Sequence, residues 1–339
     1  MKPVEVVAGV ITDARGRILL ARRTEGRDLA GLWEFPGGKR EPGETPEAAL
    51  ARELREELGI DAQVDRHLIT VPQAYVDKRL RLDVRRVSRW TGIPRGLEKQ
   101  ALAWVPPAKL PGYSMPPADI PVVAALLQPD RYAISPSCGS GSSRDSHPAP
   151  VTAPAAPAGE AVDAAAAARW FAGLEATLAT GISRIQARLP GVDPGLRRSL
   201  VAAAAERCRA AGAGLLVNSD IALAQESGIG LHLRAAQLAG MDRRPALAGG
   251  ALLAASCHGA ADLAHAGRLG CDFVVLGAVK PTATHPGQPG IGWDAFARLR
   301  ECTSLPIYAI GGLGGGDLDD ARRHGAQGVA GIRSFWRAV

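Results

Sequence analysis

The chain has 339 residues, 46% of them hydrophobic, and this length predicts about two domains with ordinary apolar cores. Its 40 Lys and Arg against 34 Asp and Glu give a net charge of +6, spread along the chain, which favours phosphorylated small molecules over a nucleic-acid groove. The five cysteines are scattered, so we expect a cytoplasmic protein without disulfide bonds or a zinc site. No apolar stretch has the pattern of a membrane span or a signal peptide.

The first 130 residues predict strands of a mixed sheet. Apolar runs bounded by turn residues indicate the strands, and Asp13–Gly16 is the turn between the first two. The predicted elements are strands at Val4–Ile11, Arg17–Arg23, Leu80–Val84 and Ala101–Val105, and a closing helix at Ala118–Leu127. Together with a second helix described next, they predict an α/β/α sandwich.

One run, from Gly38 to Ile60, carries the strongest chemical signal. It contains Gly38, five residues, Glu44, seven residues, and then Arg52-Glu-Leu-Arg-Glu-Glu-Leu-Gly-Ile. Thr45 predicts the N-cap of a helix, Pro46 its first residue and Gly59 the residue after its end.

Three carboxylates fall on one face of this helix. Glu53, Glu56 and Glu57 stand at positions i, i+3 and i+4, so they lie close together and repel one another unless a cation joins them. Hard oxygen ligands of this kind suit Mg²⁺, which also bridges phosphates. The alternative is a solvated acidic helix face.

The spacing of this run resembles the complete signature of the Nudix hydrolases. Flanking phrases are similar to the MutT branch, whose members hydrolyse 8-oxo-dGTP to the monophosphate and pyrophosphate. These phrases are Arg22-Arg23, Trp33-Glu-Phe-Pro-Gly-Gly-Lys39, Gly96-Leu-Glu98-Lys-Gln100 with Trp104, and Pro116-Pro-Ala-Asp119.

The resemblance implies roles for the acidic residues. Glu53, Glu56 and Glu57 would bind Mg²⁺, with Mn²⁺ as the alternative ion, together with the backbone carbonyl of Gly37. Glu44 and Glu98 would support this cluster, and Glu53 or Glu98 would accept the proton of the attacking water. Arg52 would hold a glutamate in place by a charge-assisted hydrogen bond.

It also implies a substrate site. Gly37 and Gly38 would let the backbone approach phosphates, and Asp119 would read the base where the best-known MutT pattern has Asn. Further substrate-binding residues are Arg23, Glu34, Phe35, Pro36 and Lys39. The alternative for Arg23, Lys39 and Glu98 is a solvated surface charge, and for Asp119 a plain helix N-cap.

The second half alternates strands and helices. Residues 136–168 lack Leu, Ile, Phe, Tyr and Trp, so we expect disorder at 136–160 and a helix from near Ala161. Eight strands follow the pattern of a TIM barrel: Tyr132–Ser135, Gly181–Arg188, Gly214–Asn218, Gly230–Leu233, Ala251–His258, Phe273–Gly277, Pro306–Gly312 and Gly328–Ile332. Helices are predicted at Leu196–Ala211 and Ile221–Gln225, and a phosphate site at Gly312, Arg333 and Ser334.

Several phrases of this half are similar to thiamine-phosphate synthase and its TenI relatives. They include Gln186-Ala-Arg188, Gly230-Leu-His232-Leu and Ser256-Cys-His258. The chain departs from the synthase pattern where acids and lysines are expected to hold Mg²⁺ and pyrophosphate: Pro190 replaces Lys, Ser219 replaces Asp, Gln237 replaces Asp, and His285 replaces Lys. In the same phrase as Gln237, Arg234 replaces Gly. We therefore expect a degenerate barrel, with His232 and His258 packed and hydrogen-bonded rather than catalytic.

The sequence predicts a two-domain enzyme, residues 1–130 as the Nudix domain and 131–339 as the barrel. The expected function is Mg²⁺-dependent hydrolysis of 8-oxo-dGTP, which cleanses the nucleotide pool and prevents replication errors. Alternatives are hydrolysis of another nucleotide diphosphate, a bifunctional enzyme with thiamine-phosphate synthase or tautomerase activity, and a barrel that only binds a phosphate ligand. The expected partner is a small-molecule nucleotide, and the oligomeric state is not predicted.

Overall fold

The computed structural model describes residues 3–26, 28–138, 164–282, 287 and 289–337. The chain divides into two compact units at Gln128/Pro129, with segments 297–304 and 322–327 grouped with the first. The predicted disordered stretch falls, from residue 139 onward, outside the described residues. Within the described ranges, no helix combines the length and the apolar character that crossing a membrane requires.

The first unit contains nine strands and two α-helices among its described residues. In chain order they are β1 (Val4–Ile11), β2 (Ile18–Arg22), β3 (Trp33–Glu34), β4 (Gly37–Lys39), α1 (Pro46–Leu58), β5 (Asp61–Gln63), β6 (His67–Ala74), β7 (Arg79–Val87), β8 (Arg89–Thr91), β9 (Leu102–Val105) and α2 (Ile120–Leu127). The central sheet has the order β4-β1-β7-β6, with β1 parallel to β7 and the other pairs antiparallel.

Two apolar clusters give the unit its layers. The side chains of α1 pack with Val7 and Ile11 of β1, and those of α2 pack in a separate cluster with Val10. Because β1 alternates its side chains between the two faces of the sheet, one helix lies in the core on each side. The predicted α/β/α sandwich with a mixed sheet is confirmed.

Helix α1 forms because its ends and its apolar face are both encoded locally. Thr45 Oγ1 accepts a hydrogen bond from the Ala48 amide at 3.2 Å, and Gly59 ends the helix in the left-handed conformation, with φ 68°. Leu50, Leu54 and Leu58 are fully buried, and each contributes about 1.5–3 kcal/mol of hydrophobic stabilisation. This burial fixes the helix, and Glu53 lies beside Gly38 of the edge strand β4.

The second unit is a closed barrel of eight parallel strands, as the sequence predicts. The elements from residue 129 onward are β10 (Arg131–Ile134), α3 (Ala164–Ala179), β11 (Arg184–Ala187), α4 (Pro194–Ala210), β12 (Gly214–Asn218), α5 (Ile221–Ser227), β13 (Gly230–Leu233), α6 (Ala235–Ala239), β14 (Leu253–Cys257), α7 (Ala260–Leu269), β15 (Phe273–Gly277), α8 (Gly292–Arg300), β16 (Ile307–Ile310), α9 (Leu318–Arg323) and β17 (Gly328–Gly331). β17 pairs with β10 to close the barrel.

Aromatic side chains fill the barrel interior. The ring of Tyr132 packs edge-on against Phe273, with ring centroids 5.3 Å apart, and lies 5.7 Å from Tyr308. The guanidinium carbon of Arg184 lies 4.6 Å from the ring centroid of Phe273, and its Nη1 donates a hydrogen bond to the Tyr308 hydroxyl at 2.7 Å. The centre is therefore packed, and ligands are expected at the mouth of the barrel.

Candidate active site

A single guanidinium gathers the acidic residues around α1. Arg52 donates two hydrogen bonds to Glu44, from Nε at 2.8 Å and from Nη2 at 3.0 Å, and one from Nη1 to Glu53 at 2.9 Å. The same Nη1 lies 3.2 Å from Glu56. These hydrogen bonds lower the pKa of Glu44 to about 2 and raise the pKa of Arg52. Arg52 thus positions several carboxylates, where the sequence predicted one.

The expected convergence of carboxylates on one metal position is not formed. Within the described part of the chain, no group of three or more His, Cys, Asp or Glu side chains is placed to hold a metal ion. The physical reason is that Glu44, Glu53 and Glu56 turn toward the donors of Arg52.

The chemistry of these side chains nevertheless fits a divalent cation. Burial raises the pKa of Glu53, and the charges of Glu56 and Glu44 add to the rise, against the opposing effect of Arg52. A Cβ on Gly38 would lie 2.1 Å from Oε2 of Glu53, so the glycine leaves the room that this carboxylate occupies. Crowded, partly buried carboxylates of this kind are the hard oxygen ligands that Mg²⁺ takes.

The loop that carries Glu98 is fastened to the end of α1. The backbone carbonyl of Glu57 accepts hydrogen bonds from the Leu97 amide at 3.0 Å and from Nε2 of Gln100 at 3.1 Å. Glu98 itself is exposed, and Glu57 is buried. The structure therefore brings the Glu98 loop to the acidic helix, although the two residues are far apart in sequence.

A cleft of 380 Å³ opens beside β1 and β7. Of the predicted substrate residues, it is lined by Arg23, Glu34, Phe35, Gly37 and Asp119. Arg23 forms an ion pair with Glu34 and donates a further hydrogen bond from Nε to the Asp28 carbonyl at 2.7 Å. These contacts hold the strand-end arginine at the rim of the cleft.

Asp119 lies at the wall of the cleft and is only 6% exposed. Its side chain makes no capping hydrogen bond to helix α2, so the N-cap alternative is wrong for the carboxylate. Its Oδ1 instead accepts a hydrogen bond from the Phe35 amide at 3.2 Å. Burial, and after it the charge of Glu34, raises the pKa of Asp119 to about 8, so the carboxyl is largely protonated at neutral pH.

Three predicted substrate residues do not line the cleft: Pro36, Gly38 and Lys39. The carbonyl of Pro36 accepts a hydrogen bond from the Gly9 amide at 2.8 Å, and Gly38 faces the Glu53 carboxylate. Lys39 is exposed, and its carbonyl accepts a hydrogen bond from Arg52 at 3.0 Å.

Sequence reasoning missed one wall of the cleft, the β6–β7 hairpin. Tyr75 and Lys78 close this hairpin through a backbone hydrogen bond of 2.8 Å, and both line the cleft. Lys78 also forms an ion pair with Asp28 of the loop after β2. The apolar run before Tyr75 could have indicated strand β6, but no strand was predicted there.

The barrel places its predicted phosphate-site residues at the ends of β16 and β17. Gly312 adopts a left-handed conformation, with φ 64°, and Arg333 is exposed. Ser334 Oγ donates a hydrogen bond to the Leu313 carbonyl at 2.6 Å, which ties the two loops together. His285, which stands where the synthase pattern has Lys, lies outside the described residues.

His232 is buried inside the barrel and held at both ring nitrogens. Its Nδ1 lies 3.2 Å from the Tyr132 hydroxyl, and its Nε2 lies 2.9 Å from Oγ of Ser256. Burial lowers the pKa of His232 to about 3, so the ring stays neutral and is a weak base. His258 has its Nδ1 3.2 Å from the Gly277 carbonyl, but it is exposed, so the prediction that it is packed is wrong.

Comparison with known proteins agrees with this architecture. A NUDIX domain model matches residues 7–125, and a thiamine monophosphate synthase model, TMP-TENI, matches residues 161–335. The first half is similar to a CTP pyrophosphohydrolase of Escherichia coli (strain K12), 43% identical over 127 residues that make up 38% of this chain and 93% of that protein. It is also similar to an 8-oxo-dGTP diphosphatase of the same strain, 38% identical over 126 residues, 37% of this chain and 98% of that protein.

The second half is similar to a thiamine-phosphate synthase of Thiobacillus denitrificans (strain ATCC 25259 / T1). The two are 31% identical over 172 residues, which cover 50% of this chain and 82% of the relative. These similarities define the protein as an enzyme, a hydrolase of phosphoanhydride bonds joined to an eight-stranded barrel. The chain belongs to the NUDIX family through its first unit and to the thiamine monophosphate synthase family through its second.

Proposed function

We propose that the first unit is a Mg²⁺-dependent nucleoside triphosphate pyrophosphatase and that 8-oxo-dGTP is its substrate. Water and the triphosphate would give the nucleoside monophosphate and pyrophosphate, so the enzyme would remove oxidised purine nucleotides before replication uses them. The observation that carries this proposal is the juxtaposition, in one sandwich, of a buried carboxyl at a nucleotide-sized cleft and an acidic helix beside the same β-strand.

The acidic residues would have two roles near the phosphates, metal binding and proton acceptance. Glu53, Glu56 and Glu57, with the carbonyl of Gly37, would hold Mg²⁺ or Mn²⁺ once Glu53 and Glu56 turn away from Arg52. Glu44 would support this metal site while it stays paired with Arg52. The ion, when bound, neutralises phosphate oxygens and lowers the pKa of a bound water. Glu53 or Glu98 would accept the proton of that water.

The basic residues would bind the Glu44 carboxylate and the phosphates of the substrate. Arg52 would keep its two hydrogen bonds to Glu44 and so fix the outer carboxylate. Arg23, at the rim of the cleft, would contact the phosphate chain, and Lys39 would do so from the exposed end of β4.

Asp119 would read the base as an uncharged acid. Its Oδ1 accepts from the Phe35 amide, and its Oδ2 has no partner among the described residues. Because the carboxyl holds its proton at neutral pH, it presents one donor and one acceptor, as the Asn of the best-known MutT pattern does. Oxidation at C8 turns N7 of guanine into a donor beside the O6 acceptor, and a protonated carboxyl complements that pair.

A cytidine triphosphate is the second candidate. It is favoured by the similarity to a CTP pyrophosphohydrolase, and the amino group and N3 of cytosine also offer one donor and one acceptor. The test is a panel of nucleoside triphosphates, including 8-oxo-dGTP, dGTP, CTP and dCTP, assayed for pyrophosphate release with Mg²⁺. The highest kcat/KM should fall on 8-oxo-dGTP, and a higher value for CTP or dCTP would replace the purine assignment.

We further propose that the barrel makes no thiamine phosphate. The synthase pattern places an acid where this chain has Ser219 and another where it has Gln237, and neither replacement can supply a carboxylate for Mg²⁺. Without that cation, departure of pyrophosphate loses its main charge stabilisation. Incubation of the protein with a pyrimidine diphosphate, thiazole phosphate and Mg²⁺ should yield no thiamine phosphate, and condensation at an enzyme-like rate would make the protein bifunctional.

A further inference from the structure

A cavity of 360 Å³ lies at the carboxyl-terminal ends of β11, β12 and β13 in the barrel. Its apolar wall includes Leu189, Val217 and Ile221. Its polar wall consists of Arg197, Asn218, Ser219, Asp220 and Arg234. This end of a TIM barrel is where ligands of such folds bind.

The cavity does not fit the divalent cation that membership of the synthase family implies. Both ends of the Gln237 amide are occupied, because Nε2 donates to the Ser219 carbonyl at 2.8 Å and Oε1 accepts from the Arg234 amide at 3.2 Å. Asp220 is also occupied: Oδ1 accepts from the Leu223 amide and Oδ2 from Arg197, both at 3.1 Å. No free carboxylate therefore faces the cavity among its lining residues.

The remaining charge of the cavity is positive. The charge of Arg197 is matched by Asp220, whereas the Arg234 side chain is exposed and has no acidic partner in the part of the chain that the structure describes. Arg234 is also the position where the synthase pattern has Gly, so this chain adds a cation where it lacks the two acids.

Two polar atoms of the lining residues have no hydrogen-bond partner among the described residues. They are Oγ of Ser219 and Nε of Arg197, and both are buried. Buried polar groups in native proteins are nearly always paired, with protein, water or a ligand. The Ser219 hydroxyl can turn about its side-chain bond, so it can become a donor toward the cavity.

We propose that this cavity binds a phosphate-type oxyanion directly, through Arg234, the Ser219 hydroxyl and the Asn218 amide, without a divalent cation. A guanidinium is suited to this task because its planar donors match two oxygens of a phosphate at once. The Gln237 amide holds the β12 and β13 loops at a fixed separation, so the site is formed before the anion arrives. The barrel would then recognise a phosphorylated ligand through one guanidinium and neutral hydrogen-bond donors, where its synthase relatives are expected to use a metal.

Isothermal titration calorimetry of the full chain with sodium pyrophosphate, in EDTA and then in Mg²⁺, tests this proposal. Binding should be present in EDTA and should weaken at least about tenfold in Arg234→Gln, with a smaller loss in Ser219→Ala. The matched control is Arg243→Gln, which removes another exposed arginine of the barrel and should bind like the unmodified protein. Thermal melts of the variants establish that they are folded.

A further variant, Arg23→Gln, separates this cavity from the nucleotide cleft. Pyrophosphate binding in EDTA should persist in Arg23→Gln, because Arg23 belongs to the other unit. Loss of binding in Arg23→Gln but not in Arg234→Gln would place the anion in the nucleotide cleft and overturn the proposal. Binding that requires Mg²⁺, or that falls equally in Arg234→Gln and Arg243→Gln, or an absence of binding heat at any temperature, would overturn it as well.

Discussion

The carboxylate of Glu53 occupies the space that a side chain at Gly38 would need, since a Cβ there would lie 2.1 Å from Oε2 of Glu53. We expect Gly38→Ala to push this carboxylate aside and to lower kcat by at least about a hundredfold. The loss of stability should be small, because the displaced group is the far end of a flexible side chain. Steady-state kinetics and a thermal melt on the same sample measure both effects.

Gly37 is the matched comparison for this variant. It has φ 154°, and a Cβ there would lie 2.1 Å from the backbone carbonyl of Val7. Gly37→Ala should therefore reduce the free energy of unfolding by roughly 1–3 kcal/mol or more, because two backbones must separate. Equal stability losses in the two variants would contradict the inference that a side chain at position 38 displaces only the Glu53 carboxylate.

Replacing a carboxylate on α1 should remove activity while leaving the fold intact. Glu53→Gln and Glu57→Gln are each expected to lower turnover by several orders of magnitude, since each removes a ligand for the metal ion. In EDTA, Glu53→Gln should melt no lower than the unmodified protein, because burial and neighbouring charges disfavour the ionised Glu53. Near-normal turnover in either variant would refute the proposed metal site.

Asp119 should control which base is preferred. Asp119→Ala removes the carboxyl from the wall of the cleft, and loss of a hydrogen bond to a base shifts discrimination by about 1–3 kcal/mol. The ratio of kcat/KM for 8-oxo-dGTP to that for dGTP should fall accordingly, with an unchanged dependence on Mg²⁺ concentration. If this ratio stays the same, Asp119 accepts the hydrogen bond of the Phe35 amide but does not contact the base.

Asp119 should also make stability fall as pH rises. Its folded pKa of about 8 exceeds the ordinary value of 3.8, so between these values the folded protein keeps a proton that the unfolded chain has lost. Its contribution to the free energy of unfolding is therefore full below about pH 4 and decreases by up to about 1.4 kcal/mol per pH unit toward pH 8. Chemical denaturation should show Asp119→Asn gaining stability relative to the unmodified protein between pH 5 and pH 8, and parallel pH profiles would contradict the raised pKa.

The first 128 residues should be active by themselves. Pro129 and Asp130 belong to the barrel unit, where the Val329 amide donates a hydrogen bond of 2.9 Å to the Asp130 carbonyl. A fragment of residues 1–128 should therefore retain nucleotide hydrolysis with kcat/KM within about threefold of the full chain. A soluble, folded fragment without activity would show that the proposed residues from Arg23 to Asp119 are not sufficient.

Local signals account for what the sequence predicted well. Thr45, Pro46 and Gly59 define both ends of α1 through contacts within one or two turns, and the predicted bounds agree with the observed helix. All eight barrel strands were also predicted, because buried parallel strands appear in the sequence as short apolar runs between turn residues. Strand bounds differ by up to a few residues, for example Arg184–Ala187 where Gly181–Arg188 was predicted.

Features set by tertiary contacts were missed. Strand β6 contains Pro72, which weakens a strand prediction, and without β6 the hairpin at Tyr75 could not be placed beside the cleft. Sequence spacing put Glu53 and Glu56 on one face but could not show that both turn toward Arg52, since that depends on side-chain rotamers. The burial that keeps a proton on Asp119 comes from residues distant in the chain, so a local motif could not reveal it.

The carbonyl oxygen of Glu57 has a mechanical consequence, because it anchors a loop from a point forty residues away in the chain. The Leu97 amide and the Gln100 side chain both donate hydrogen bonds to this one oxygen. The last turn of the helix and the loop of Glu98 are therefore expected to shift together. We therefore expect a displacement of the loop to carry the helix end with it and to preserve the spacing between Glu57 and Glu98. Insertions in the loop are tolerable only where they leave both donors on that atom, which restricts how this part of the enzyme can vary.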